Sequence, residues 1–189
     1  MRNRPNKFFH FIALLAGFLL ITSAGQDPFF FSVSKGDIHF VSEAPLELIE
    51  AESSELVGIL SSENQSFAFS VPIKSFLGFN SPLQREHFNE NYMQSEKFEN
   101  ATFSGTIIEE IDLFTPGIIV ARAKGKFNIH GVEHVQMLDV LLTIKKDQIE
   151  VETEFDVLLE DYKISIPRIV NKKIAESIHI TVHATLKKK

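Results

Sequence analysis

The fold this sequence predicts is all-β: an antiparallel up-and-down barrel of about eight strands with one short helix at the barrel end. Three observations predict it. Apolar and polar residues alternate with period two, most cleanly over residues 149–159, where Ile149, Val151, Thr153, Phe155, Val157 and Leu159 interleave with Glu150, Glu152, Glu154 and Asp156. Several such runs are longer than the roughly five to six residues usual for a strand, which favours a barrel over a sandwich. Helical character is concentrated in one stretch, 83–92, behind a Ser-Pro start.

Taken in order, residues 29–34 read as a short apolar strand, Lys35-Gly36-Asp37 as a turn, and 38–43 as a second short strand. Residues 46–61 alternate loosely and carry Glu47, Glu50, Glu52 and Glu55. Phe67, Phe69 and Val71 alternate with Ala68 and Ser70 in a strand closed by Pro72. Ser81 is placed to cap a helix with Pro82 at its first position. Four strands follow at 101–110, 117–130, 135–145 and 149–159. A short strand is expected at 162–166, a linker or single helical turn at 168–176, and a last strand at 177–187. In that last strand Ile178, Ile180, Val182, Ala184 and Leu186 oppose His179, Thr181, His183 and Thr185.

The N-terminus has the three parts of a secretory signal. Arg2, Arg4 and Lys7 precede an apolar run over 8–21, and Thr22, Ser23, Ala24 and Gly25 supply small residues for cleavage. The run is shorter than the roughly 20 residues of a membrane span. The reading is a signal peptide over 1–25 and one domain over 26–189, exported to the periplasm or secreted, with no integral membrane segment left after cleavage. Losing three basic residues and no acid takes the formal charge from −6 to about −9. That acidity argues against a nucleic-acid partner and against simple adsorption to anionic lipid headgroups. With no Cys there is no disulfide, no thiol nucleophile and no Cys-ligated metal. The chain holds 18 Phe, 2 Tyr and no Trp, so its aromatic surface is made for dry contacts.

The segment FAFSVPIKSFLGFNSPLQREHFNENYMQSEKFENATFSG, residues 67–105, resembles the YceI-like family. Its strand running to Ser75, its Glu86-His87 pair on a helix, its Ser95-Glu96-Lys97-Phe98 loop and its Ala101-Thr102-Phe103 strand follow that family's order. GKFNIHGVEHVQM, residues 125–137, resembles the family's strand-turn-strand segment. DYKISIP, residues 161–167, resembles a third, with Lys163 where the family often has glycine. The resemblance spans about residues 37–186. It implies a lipocalin-like barrel around an elongated cavity, and as partner a long apolar ligand: an isoprenoid, a quinone or another lipid. A homodimer is a further expected partner.

If the apolar face of each strand turns inward, the ligand-binding set is Phe67 and Phe69, Phe103, Ala121, Ala123 and Phe127, Leu138 and Val140, Phe155 and Val157, and Ile180 and Val182. Small Ala121, Ala123 and Gly125 leave room inside the wall unless bulky neighbours fill it. Phe88, Tyr92 and Phe98 are candidate gates at the helical end. No cofactor, metal or catalytic residue is assigned. His179 and His183 stand about 13 Å apart on one strand face, too far to share a zinc that needs nitrogens at about 2 Å. His130 and His134 flank Gly131 in a turn, where a solvated turn or a hydrogen-bonded pair is preferred to a metal site. The rival functions are a filled-barrel interaction module and a hydrolase or isomerase using His87 or His130. His87 is instead expected to pin the helix by hydrogen bonding.

Overall fold

Residues 35–37 continue a strand and make no turn. In the computed structural model, which describes residues 29–189, strand β1 runs unbroken over Phe30–Glu43. Its pairing with the last strand slips between Val33 and Lys35, and the Ser34 hydroxyl donates to the Thr185 carbonyl at 3.0 Å. The bulge at Ser34 bends and twists the strand without ending it, and Lys35, Gly36 and Asp37 pair on in regular register. The expected signal peptide over 1–25 lies outside the described residues.

β2 (Leu48–Ser53) and β3 (Val57–Ser61) both pair with β1, one along its second half and one along its first. They form one stave interrupted at residues 54–56. The remaining staves are β4 (Ser66–Pro72), β5 (Asn100–Ile107), β6 (Gly117–Ile129), β7 (Val132–Ile144), β8 (Gln148–Leu158) and β9 (Ser177–Lys188). Each pairs antiparallel with the next, and β9 returns to β1 over ten residue pairs. The result is a closed eight-stave barrel in chain order, lipocalin-like, with β2 paired to a strand on one side only.

Two backbone features set its shape. Gly105 faces Gly125 across β5 and β6, and a Cβ on Gly105 would come within 2.1 Å of the Lys124 carbonyl oxygen. The glycine pair therefore permits a backbone approach that side chains would forbid. His130 and Gly131 join β6 to β7 with φ of 54° and 71°. Two consecutive positive φ values make the two-residue hairpin whose twist matches the strands it joins.

The short helix α1 covers Pro82–His87 and continues as one π-helical turn over Phe88–Tyr92. The Ser81 hydroxyl accepts from the Gln84 amide at 3.2 Å, the cap expected from Ser-Pro. The strand expected at 162–166 does not form. A 3₁₀ turn at Leu159–Tyr162 leads into unpaired extended chain. Tyr162 and Ile164 are buried beside Ile73, Met93, Phe127 and Val157. The alternation is real, but it packs the segment across the barrel end and joins no ladder.

The barrel has two unlike ends. At one, the loops 62–65, 108–116 and 145–147 meet the start of β1, and the interior is solid. Ile149 and Leu186 are 0 % exposed, and Phe31, Leu113, Leu142 and Ile144 are buried with them. Gln65 donates to the Ile111 carbonyl at 2.9 Å, and so ties down the loop that carries Ile111 and Leu113 inward. The other end carries α1 and the segments 44–47, 73–99 and 159–176.

Candidate functional site

Above the solid floor the interior is hollow. The cavity measures about 500 Å³, within the range of small-molecule sites. Every stave contributes to it: Ile38 and Phe40 from β1, Ile49 from β2, Leu60 from β3, and the inward residues of β4 to β9. Leu60, Ile107, Leu142 and Leu186 form its bottom. Many of its walls are only half-buried, among them Phe40, Phe69, Phe103, Val151, Phe155 and Ile180. They are inside the barrel yet not packed on all sides, because they face space.

The structure brings nearly all of the inward set together. Phe67 and Phe69 line the cavity from β4, Phe103 from β5, Ala123 and Phe127 from β6, and Leu138 and Val140 from β7. Phe155 and Val157 line it from β8, and Ile180 and Val182 from β9. Ala121 does not. It is 2 % exposed and belongs to the packed floor with Leu142, Ile144, Ile149 and Leu186. There the bulky neighbours close over the small residue. Gly125 opens no space either, since a Cβ on it would meet the Ser104 carbonyl at 2.4 Å and Phe103 at 3.0 Å.

Of the three candidate gates, Phe88 and Tyr92 line the cavity. Phe98 does not. Its ring sits edge-on to His130 at 4.8 Å and covers Gly131, so it braces the β6–β7 hairpin from outside. The lid is a cluster of four phenylalanines. Phe88 stacks on Phe40 at 5.5 Å and meets Phe79 at 5.0 Å and Phe76 at 6.0 Å. Sequence reasoning missed Phe40, Phe76 and Phe79. The last two lie in a loop with no period to read, and FLGF was their only signal.

Arg85, and not His87, pins the helix. Its guanidinium donates to the Phe76 carbonyl at 3.1 Å and the Lys74 carbonyl at 2.8 Å. Asn89 donates back to the Arg85 carbonyl at 2.9 Å. His87 is exposed and lines the mouth. Glu47, Ser81, Gln84, His87 and Lys173 line that mouth, while Ser42, Ser70, Thr102 and Thr153 are the small polar residues of the staves that line the cavity. Gln84 donates to Glu47 at 3.0 Å, and Lys173 lies 3.8 Å from the same carboxylate.

The remaining histidines are structural or superficial. His130 Nδ1 bonds the Tyr162 carbonyl and His134 Nε2 the Asp161 carbonyl, each at 3.0 Å. The pair fastens the hairpin to the 159–163 turn, as a hydrogen-bonded pair would. Gln136 donates to the Tyr162 hydroxyl at 3.1 Å, and burial pushes the pKa of that phenol up. His179 and His183 face outward beside Asp156 and Glu152. Among the described residues, no group of three His, Asp or Glu side chains is placed to hold a metal ion. No described helix is long and apolar enough to cross a membrane. What this geometry can do chemically is withdraw an apolar chain from water.

The comparisons with known proteins agree with the architecture. The sequence model of the YceI-like domain matches residues 30–186. A polyisoprenoid binding domain from Saccharophagus degradans, implicated in plant cell wall breakdown, superposes with a TM-score of 0.73 at 14% identity, covering 84% of this chain and 98% of that one. BcnA of Burkholderia cenocepacia gives 0.66 at 13% identity, over 79% and 95%. A mutant YCEI protein from Campylobacter jejuni gives 0.54 at 16% identity, over 71% and 80%. At these identities the likeness is one of fold. No curated protein sequence matches the chain.

Proposed function

The chain belongs to the YceI-like family, and from that premise we propose that it is a carrier holding one long apolar molecule, such as a polyisoprenoid, a quinone or another lipid, inside the barrel. The observation that carries this reading is the 500 Å³ cavity, lined mostly by apolar side chains from every stave, with its charged lining residues Glu47 and Lys173 at the mouth. The polyisoprenoid-binding relative from Saccharophagus degradans supports it.

The volume sharpens the ligand class. At the roughly 30 Å³ that a water-sized group occupies, the cavity takes about 15 to 20 chain carbons. That is a tail of three or four prenyl units, or a fatty chain of similar length. Burying about 15 methylenes at about 0.8 kcal/mol each is worth about 12 kcal/mol. Lost motion and chain ordering withdraw about 4 kcal/mol or more, which still leaves useful affinity without a single polar contact. A head group would rest among Glu47, Gln84, His87 and Lys173 at the mouth.

Binding is favoured over catalysis because the candidate histidines lack a catalytic arrangement. His87 stands exposed at the mouth, and His130 is committed to a carbonyl outside the cavity. A hollow interior also weighs against a filled interaction module. The basic, apolar and small-residue sequence of the N-terminus supports export to the periplasm or beyond. N-terminal sequencing of the mature protein from cell fractions tests that placement; a retained Met1 in the cytoplasm would sink it.

A length series tests the ligand reading. Prenyl alcohols from farnesol upward should displace a fluorescent apolar probe more strongly with each unit, then stop gaining once the cavity is full. Absence of probe uptake, or affinity independent of chain length, would contradict burial in the barrel.

A further inference from the structure

One segment at the mouth is basic in an acidic chain. Residues 162–175 carry Lys163, Arg168, Lys172 and Lys173 and no acid, in a protein of net charge −6. Within this stretch lies the turn Arg168–Val170. Its Ile169 is 91 % exposed, more than any other large apolar side chain among the described residues. Isolated exposed leucines are ordinary; an isoleucine held outward between bases at the opening of an apolar cavity is not.

Two further apolar tips stand beside it. The Leu46 amide donates to the Lys172 carbonyl at 2.9 Å, so the β1–β2 turn and the basic segment are joined. Leu83 precedes Gln84, which reaches Glu47 at 3.0 Å. Leu46 and Leu83 are 68 % and 57 % exposed. On their inner side Leu83, Val170, Lys173 and Ile174 line the cavity. Glu47 at the mouth is engaged by Gln84 and Lys173, and Glu86, Glu160, Asp161 and Glu176 border the patch in sequence.

We propose that this rim docks on an anionic lipid bilayer. Ile169, Leu46 and Leu83 would enter the headgroup layer while Arg168 and Lys172 meet lipid phosphates. The mouth would then open onto lipid, and an apolar guest could pass between bilayer and barrel without crossing water. The inference rests on the carrier reading and adds to it the surface that loads the carrier. Charge complementarity favours a bilayer, since anionic headgroups attract juxtaposed bases. The acidic remainder is repelled by the same surface, which orients the molecule mouth first. Separate apolar prongs around an opening suit a fluid headgroup layer better than the flat face of a protein partner.

Flotation with vesicles tests it, using the mature chain and comparing pure phosphatidylcholine with phosphatidylcholine containing phosphatidylglycerol. The protein should float with the anionic vesicles and release as salt rises. Ile169→Asp, and separately the double change Arg168→Glu with Lys172→Glu, should each weaken binding by about tenfold or more. Ile118→Asp, at a side-wall position 72 % exposed, should leave it unchanged. No binding at low salt, full binding by Ile169→Asp, or an equal loss in Ile118→Asp overturns the proposal. Uptake of a fluorescent prenyl probe from solution separates the two readings. Uptake kept by a wild type that ignores vesicles refutes docking alone, whereas failed uptake refutes the carrier reading and docking with it.

Discussion

Ala121 and Ala123 are two residues apart on one strand, point the same way and are both buried, yet only Ala123 lines the cavity. The same contrast separates Ile149 from Phe155 on β8: the first is 0 % exposed and packed, the second half-buried against space. Period-two alternation builds both halves of the barrel alike. What differs is the stopper. At the floor the 108–116 loop drives Ile111 and Leu113 inward and Phe31 joins them, so the side chains fill the interior. At the mouth the stopper is a two-turn lid hung on Arg85, and the space beneath it stays open. Alternation therefore says which residues face in, and the end loops decide whether they meet anything.

Four substitutions test that contrast, and two more probe the lid and the Lys163 backbone. Ile149→Ala should cost about 3 to 4 kcal/mol by chemical denaturation, the usual cost of a new cavity in a packed core. Phe155→Ala enlarges space that already exists and should cost about half as much or less; equal losses would mean the upper barrel is as solid as the lower. Ala121→Leu overpacks the floor, for about 1 to 3 kcal/mol. Ala123→Leu should leave stability within about 1 kcal/mol while weakening uptake of an apolar probe by about tenfold. Reversal of that pair would place the floor one residue pair too low. Phe88→Ala opens the aromatic lid, and ligand exit followed by stopped flow should quicken by about tenfold; an unchanged rate would remove Phe88 from gating. The smallest effect belongs to Lys163, held at φ 56°. Lys163→Gly should stabilise the fold by about 1 kcal/mol, because the left-handed region penalises a Cβ. A lower melting temperature would show that the Lys163 side chain contributes more than its strain removes.

The fold class, the closing barrel and the capped helix were legible because they rest on local signals. Strict alternation marked β6 to β9, and Ser81-Pro82 marked the start of α1. The breaks were less legible. Lys35-Gly36-Asp37 reads as a turn, and only its regular pairing with β9 shows that it is strand. Tyr162 and Ile164 alternate like a strand, but a strand also needs a partner, which composition does not report. The inward set came from alternation alone, so it included Ala121, whose burial depends on a loop far away in sequence. Phe76 and Phe79 escaped because lid residues follow no period. His87 was assigned the anchoring that Arg85 performs, since an Arg on a short helix looks like surface until its carbonyl partners are in view.

Native mass spectrometry with lipid extraction, on mature protein purified from its own cells, tests the carrier reading most directly. One co-purifying lipid per chain, with an apolar tail near the length the cavity admits, is the predicted result. A protein that arrives empty and stays empty when offered prenyl alcohols or quinones would contradict it.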